Sequence, residues 1–139
     1  MTLDEIRKNL YTEEKEKPFL HHIYICVAAG CLSFHSDKVL KALVQTIQAH
    51  SRRSDILIRW GGEEFILMIP INNKANLYKR LNSLREVIEQ QRVPSVDNIT
   101  VSIGAAIHSK ADSIEDTIKH ADNNLYSSKK NGRNQTTVD

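Results

Sequence analysis

Apolar positions recur along this chain at two periods, and each change of period marks an element. Over Thr2–Lys15, Leu3, Ile6 and Leu10 fall at helical spacing behind a Thr2/Glu5 capping box, and Pro18 closes the helix. Ile23-Tyr24-Ile25-Cys26-Val27 then reads as a first buried strand, and Ala28-Ala29-Gly30 opens a loop holding Phe34 and His35. Ser36 caps a helix running to about His50, with Leu40, Leu43, Val44 and Ile47 on its inner face. Two short Ile-rich runs, Asp55–Trp60 and Glu64–Ile69, flank a Gly-Gly pair and predict a hairpin. A helix starting near Asn72 or Asn73 carries Leu77, Leu81, Leu84 and Ile88 on one stripe. After a polar loop through Pro94 and Ser95, Ile99, Val101 and Ile103 alternate with Thr100 and Ser102, as in a half-buried strand reaching Ile107. Ser113 with Asp116 opens a last helix whose stripe is Ile114, Ile118, Ala121 and Leu125, and Gly132 suits a left-handed cap. Gln135–Val138 reads as an edge strand or a frayed tail.

Between residues 23 and 107 the order is therefore β-α-β-β-α-β, with helices flanking both ends. That is an α+β, ferredoxin-like (split βαβ) palm, an antiparallel sheet carrying helices on one face. At 139 residues the chain is expected to be one domain over 1–139, long enough to bury a core. Its 40% hydrophobic and 26% charged residues are ordinary for a globular protein. A net charge of +2 is too mild to imply a nucleic acid or membrane partner. No apolar run approaches the roughly 20 residues that span a bilayer. Cys26 and Cys31 form no zinc or CxxC pattern, so they read as reduced thiols in a cytoplasmic protein.

The hairpin carries the densest candidate chemistry. Its glycines, Gly61 and Gly62, supply the positive φ angles of a tight turn and bare backbone N–H groups that a phosphate can approach. Glu63 and Glu64 follow at its mouth, where carboxylate oxygens can hold a hard cation; solvated glutamates on a plain turn are the alternative. The histidines, His21, His22, His35, His50, His108 and His120, show no metal-ligand spacing. Trp60 and Tyr126 are expected in the core.

Gly61-Gly62-Glu63-Glu64-Phe65 at such a turn resembles the GGDEF signature of bacterial diguanylate cyclases. Val101-Ser102-Ile103-Gly104-Ala105 is similar to that family's VSIG strand. Ala121–Lys129, with Gly132-Arg133-Asn134, is similar to its closing A-D-x-A-L-Y-x-A-K-x-x-G-R-N. The resemblance covers nearly the whole chain from the first helix on. It implies two domains meeting face to face as a homodimer, each with one GTP, joined into cyclic di-GMP with magnesium ions neutralising the phosphates. On that basis Glu63 and Glu64 are the catalytic and metal carboxylates, and Gly61 and Gly62 admit the phosphates. Lys129 and Arg133 contact the triphosphate, although cations also suit a helix C-terminus. Asp37 matches the aspartate that bonds guanine, or is a first-turn acid favoured by the helix dipole. Arg52 and Asp55 have the spacing and register of the family's RxxD product-inhibition site, where arginine grips guanine and phosphate and the aspartate accepts from guanine N–H groups.

The pattern also departs from the family. Its first strand ends in a metal-binding aspartate, followed by D-x-D-x-F-K-x-I-N-D-x-x-G-H, whose asparagine bonds guanine. Here no acid lies between Lys17 and Asp37, and that stretch is several residues shorter. The segment D-x-L-T-G-L-x-N-R that opens the family's domain is also missing. The resemblance thus implies a degenerate, N-terminally truncated member that binds cyclic di-GMP or GTP as a regulatory module. The alternatives are an active diguanylate cyclase and a structural or dimerisation remnant.

Overall fold

The computed structural model describes residues 21–29, 36–61, 64–71, 73–94, 99–109 and 111–139. The helix expected over Thr2–Lys15, the loop with Phe34 and His35, and Gly62 and Glu63 lie outside them. The elements are β1 (His21–Ala29), α1 (Ser36–Ala49), β2 (Ile56–Gly61), β3 (Glu64–Ile71), α2 (Lys74–Gln90), β4 (Val101–Ile107), α3 (Ile114–Lys130) and β5 (Thr136–Val138). They form a five-stranded sheet ordered β2-β3-β1-β4-β5. β1 lies antiparallel between β3 and β4, and β5 joins β4 in parallel, so the expected edge strand forms.

Side chains alternate across the pleat, and both faces of the sheet are covered. On one face Phe65, Leu67 and Ile69 of β3 and Val101, Ile103 and Ala105 of β4 pack under α1 and α2. α2 presents the expected stripe of Leu77, Leu81, Leu84 and Ile88, and Asn73 caps it by accepting from the Asn76 N–H at 2.8 Å. α1 buries Val39, Leu43 and Ile47, with Leu40 and Val44 half-buried at the margin, so its stripe is rotated from the expected one.

The other face corrects the one-sided plan. Ile58, Ile66 and Met68 pack against Ile114 and Leu125 of α3, so the C-terminal helix makes a third layer. β4 is accordingly buried from Val101 through Ala106 rather than half-exposed. Gly104 explains how α3 fits so closely. A Cβ there would collide with the Leu125 backbone nitrogen and the Ala121 carbonyl oxygen. Tyr126, expected in the core, is 67% exposed, because the buried stripe of α3 runs through Ala121, Asn124, Leu125 and Ser128. Among the described residues no helix is long and apolar enough to cross a membrane.

Candidate functional site

The β2–β3 hairpin differs in register from a turn centred on both glycines. Gly61 pairs with Glu64, after an irregularity between Arg59 and Gly61, so the first glycine ends β2. Glu64 begins β3 and is half-buried. The pairing then continues across the sheet: Glu64 stands opposite Ala28 of β1, and Ala28 opposite Ser102 of β4. Gly61, Glu64, Ala28 and Ser102 thus form one row at one end of the sheet.

The C-terminal end of α3 reaches that row. The Ser128 hydroxyl donates to the Ile103 carbonyl at 2.9 Å, one residue from Ser102. Beyond Asn131 the chain turns through Gly132 (φ 117°), as expected of a left-handed cap, and the Arg133 N–H returns to the Ser128 carbonyl at 2.9 Å. Arg133 (φ 65°) and Asn134 (φ 47°) are also left-handed. Asn134 locks this loop: its N–H meets Ser102 Oγ at 3.2 Å, its Oδ1 accepts from Arg85 at 2.8 Å, and its Nδ2 donates to Glu89 at 2.8 Å. The loop carrying exposed Arg133 leads into β5 and therefore sits about three strand spacings, roughly 14 Å, from the start of β3. Lys129, half-buried, lies one residue past Ser128. Asp37 falls in the first turn of α1; because His50, just past the end of α1, lines one cleft with Pro70 and Ile71 at the far end of β3, that first turn lies at the hairpin end. The fold thus gathers Gly61, Glu64, Lys129, Arg133 and the backbone of Asp37 at one end.

The donor set for a metal is thin there. Magnesium takes hard oxygen ligands, usually one or two carboxylates with substrate phosphates supplying others. The cross-strand neighbour of Glu64 on β1 is Ala28, followed by Ala29, so β1 adds no carboxylate. Among the described residues no three His, Cys, Asp or Glu side chains gather to hold a metal. Among the described residues, Glu64 is the carboxylate this row offers to a metal.

Arg52 and Asp55 lie just before the opposite end of β2, with Asp55 about 20 Å from Gly61 at the usual rise of a strand. Asp55 closes its own turn by accepting from the Arg52 N–H at 2.7 Å. Both its oxygens also take the guanidinium of Arg80 in a bidentate pair, and its side chain is 1% exposed. Removing one partner of such a pair costs roughly 3–5 kcal/mol, so Asp55 is held rather than offered. Beside it opens a cleft of about 880 Å³ lined by His50, Arg52, Asn76, Lys79, Arg80 and Ser83. Arg80 went unread in the sequence because its partner lies 25 residues away with no shared motif. Asn134 shows in the sequence only as the last residue of Gly132-Arg133-Asn134, with nothing to mark its partners Arg85 and Glu89.

The profile described as "Diguanylate cyclase, GGDEF domain" matches residues 34–135. The chain is 35% identical over 99 residues to diguanylate cyclase DgcM of Escherichia coli, covering 71% of this chain and 24% of the relative. It spans about a quarter to a third of the length of the curated relatives it matches. The fold is similar to the GGDEF domain of DgcB from Caulobacter crescentus, solved with c-di-GMP, at TM-score 0.84 and 23% identity over 97% of this chain and 86% of that one. It is also similar to the active GGEEF domain of a Vibrio cholerae diguanylate cyclase, at TM-score 0.79 and 22% identity over 94% of this chain and 89% of that one.

Proposed function

The chain belongs to the diguanylate cyclase GGDEF domain family, and we propose that it serves cyclic di-GMP signalling as a nucleotide-binding regulatory module with impaired turnover. The observation that carries this reading is the cross-strand pair of Glu64 with Ala28, where the family supplies a first-strand aspartate. With Glu63 and Glu64 as its carboxylates, the hairpin holds one magnesium ion weakly, and the GTP phosphates provide the remaining oxygens. Gly61 and Gly62 let those phosphates approach, Lys129 and Arg133 neutralise them, and Asp37 meets the guanine edge. Condensation needs two such domains face to face as a homodimer, and each would lack a second metal to activate the attacking hydroxyl. Binding then outlasts catalysis. The proposed compartment is the cytoplasm, where GTP and cyclic di-GMP are found.

Incubation of the purified protein with GTP and Mg²⁺ or Mn²⁺, followed by chromatography of the nucleotides, tests this. The expected outcome is GTP binding by calorimetry with no accumulation of cyclic di-GMP. Multiple-turnover formation of cyclic di-GMP would sink the reading in favour of an active cyclase. Absence of heat with both GTP and cyclic di-GMP would leave a structural remnant.

A further inference from the structure

The loop after α3 holds Arg133 in a backbone conformation that an arginine rarely adopts. Arg133 (φ 65°) and Asn134 (φ 47°) follow Gly132 in the left-handed region. Glycine and asparagine tolerate that region, whereas a long side chain persists there only where its surroundings impose it. The surroundings here are explicit. The Arg133 N–H is bound to the Ser128 carbonyl, and the Arg133 carbonyl accepts from Gln135 Nε2 at 3.2 Å. The Asn134 N–H is bound to Ser102, and the Asn134 side chain to Arg85 and Glu89. The backbone of Arg133 is thus held on both sides, while its side chain is exposed.

The outer half of this clamp comes from α2. Arg85 and Glu89, four residues apart on one helix face, bond each other at 3.0 Å, and Arg85 Nε donates to Asn82 at 2.9 Å. Glu89 accepts the Asn134 amide with Oε1 and Arg85 with Oε2, while Arg85 Nη1 donates to Asn134 Oδ1. A side-chain amide offers a donor and an acceptor in one plane, and this acid–base pair answers both. Arg85 is 13% exposed and faces Glu86 and Glu89, so its charge is spent inside the clamp rather than offered to an anion. The bonds fall on the residue next to Arg133, ahead of β5.

We propose that Arg85 and Glu89 are positioning residues: acting through Asn134, they hold the Arg133 backbone so that its guanidinium is aimed in advance at the triphosphate. The inference rests on the reading of Arg133 as a triphosphate contact and adds two α2 residues that do not touch the nucleotide. A cation on a loose loop loses conformational freedom when it grips a phosphate, and one already held does not.

Glu89→Ala separates three roles for this clamp. Removing a negative charge strengthens triphosphate binding if charge alone matters. A clamp that serves only the fold leaves the affinity of the folded protein unchanged. Positioning makes binding weaker. The experiment is calorimetric titration of the whole chain with GTP and Mg²⁺, for the wild type, Glu89→Ala, Asn134→Gly, Arg133→Ala and the two doubles with Arg133→Ala. Asn134→Gly keeps the N–H to Ser102 and suits the left-handed φ, so it removes the side-chain bonds at constant charge. Glu89→Ala and Asn134→Gly are each expected to weaken GTP at least about threefold and Arg133→Ala about tenfold. Once Arg133 is gone, the other two are expected to add less than about twofold. Losses that persist undiminished in the Arg133→Ala background overturn the inference, as does unchanged or tighter binding by Glu89→Ala. GTP binding by Arg133→Ala that equals the wild type overturns it and leaves the proposed function standing. Without ligand, hydrogen exchange over residues 131–135 is expected to speed up at least about threefold in both clamp variants. Equal protection overturns the clamp whatever GTP shows. No heat from GTP in the wild type overturns the inference together with the triphosphate reading beneath it.

Discussion

Asp55 shows how one side chain can hold two parts of the molecule together. It closes the turn that leads into β2 and receives Arg80 from α2, fixing the helix over the strand. Because the pair is buried, its net contribution is small while the cost of half of it is large. Arg80→Ala is expected to lower stability in urea by roughly 3–5 kcal/mol, because a fully buried carboxylate loses its counter-ion. Arg80→Lys restores only part, since a point charge cannot bond both oxygens in one plane. If Arg80→Ala melts like the wild type, the pair is not closed in solution. At Gly104 the argument is steric instead. Gly104→Ala drives a methyl into the α3 backbone, which has no rotamer to yield, and the expected loss is at least about 3 kcal/mol in the same measurement.

At the scale of elements, α3 determines how β4 is used. Small and polar residues at Thr100, Ser102 and Gly104 alternate with Ile99, Val101 and Ile103, and alternation of that kind ordinarily marks a solvated face. Here Gly104 is small because the α3 backbone rests on it, and Ser102 is polar because its hydroxyl accepts from Asn134 of the loop after α3, a distinction that a strand's own pattern does not contain. The polar residues on the buried stripe of α3 are part of that contact. Asn124 Nδ2 donates to the Ala105 carbonyl at 2.9 Å, and the Ser128 hydroxyl meets Ile103 and, at 2.6 Å, Thr137 of β5. Asn124→Ala and Ser128→Ala are each expected to cost about 1 kcal/mol, the usual net worth of such a bond. Hydrogen exchange should show β5 loosening before β4 in Ser128→Ala, and equal protection of both strands would contradict that role. The stripe of α2, by contrast, was legible throughout, because four leucine and isoleucine positions at helical spacing admit one packing face. The hairpin was legible as a turn but not in register. Placing Gly61 in the strand requires knowing that it pairs with Glu64.

Across the whole molecule, the row Gly61–Glu64–Ala28–Ser102 joins the hairpin to the cation-bearing loop after α3, and β1 is its middle. The sequence made the two flanks of that row readable through their motifs. It also showed that β1 brings no acid, but not which residue stands beside Glu64. The register supplies that residue and with it a direct experiment. Residues directly opposite on antiparallel strands point to the same face with Cβ atoms about 5 Å apart. In Ala28→Asp a second carboxylate would therefore stand beside Glu64, close enough for both to reach one Mg²⁺ at its usual oxygen distance of about 2 Å. With Mg²⁺ present, GTP affinity is expected to rise on the order of tenfold, about 1.4 kcal/mol. With EDTA in place of metal the sign reverses, because an added negative charge then only repels the triphosphate. A charge effect without coordination would weaken binding in both conditions, and a misplaced side chain would change neither. An increase confined to the metal-containing titration is the outcome that supports the proposed weakness of metal binding beside Ala28. Cyclic di-GMP formation by the same variant would further show that the rest of the row is still competent.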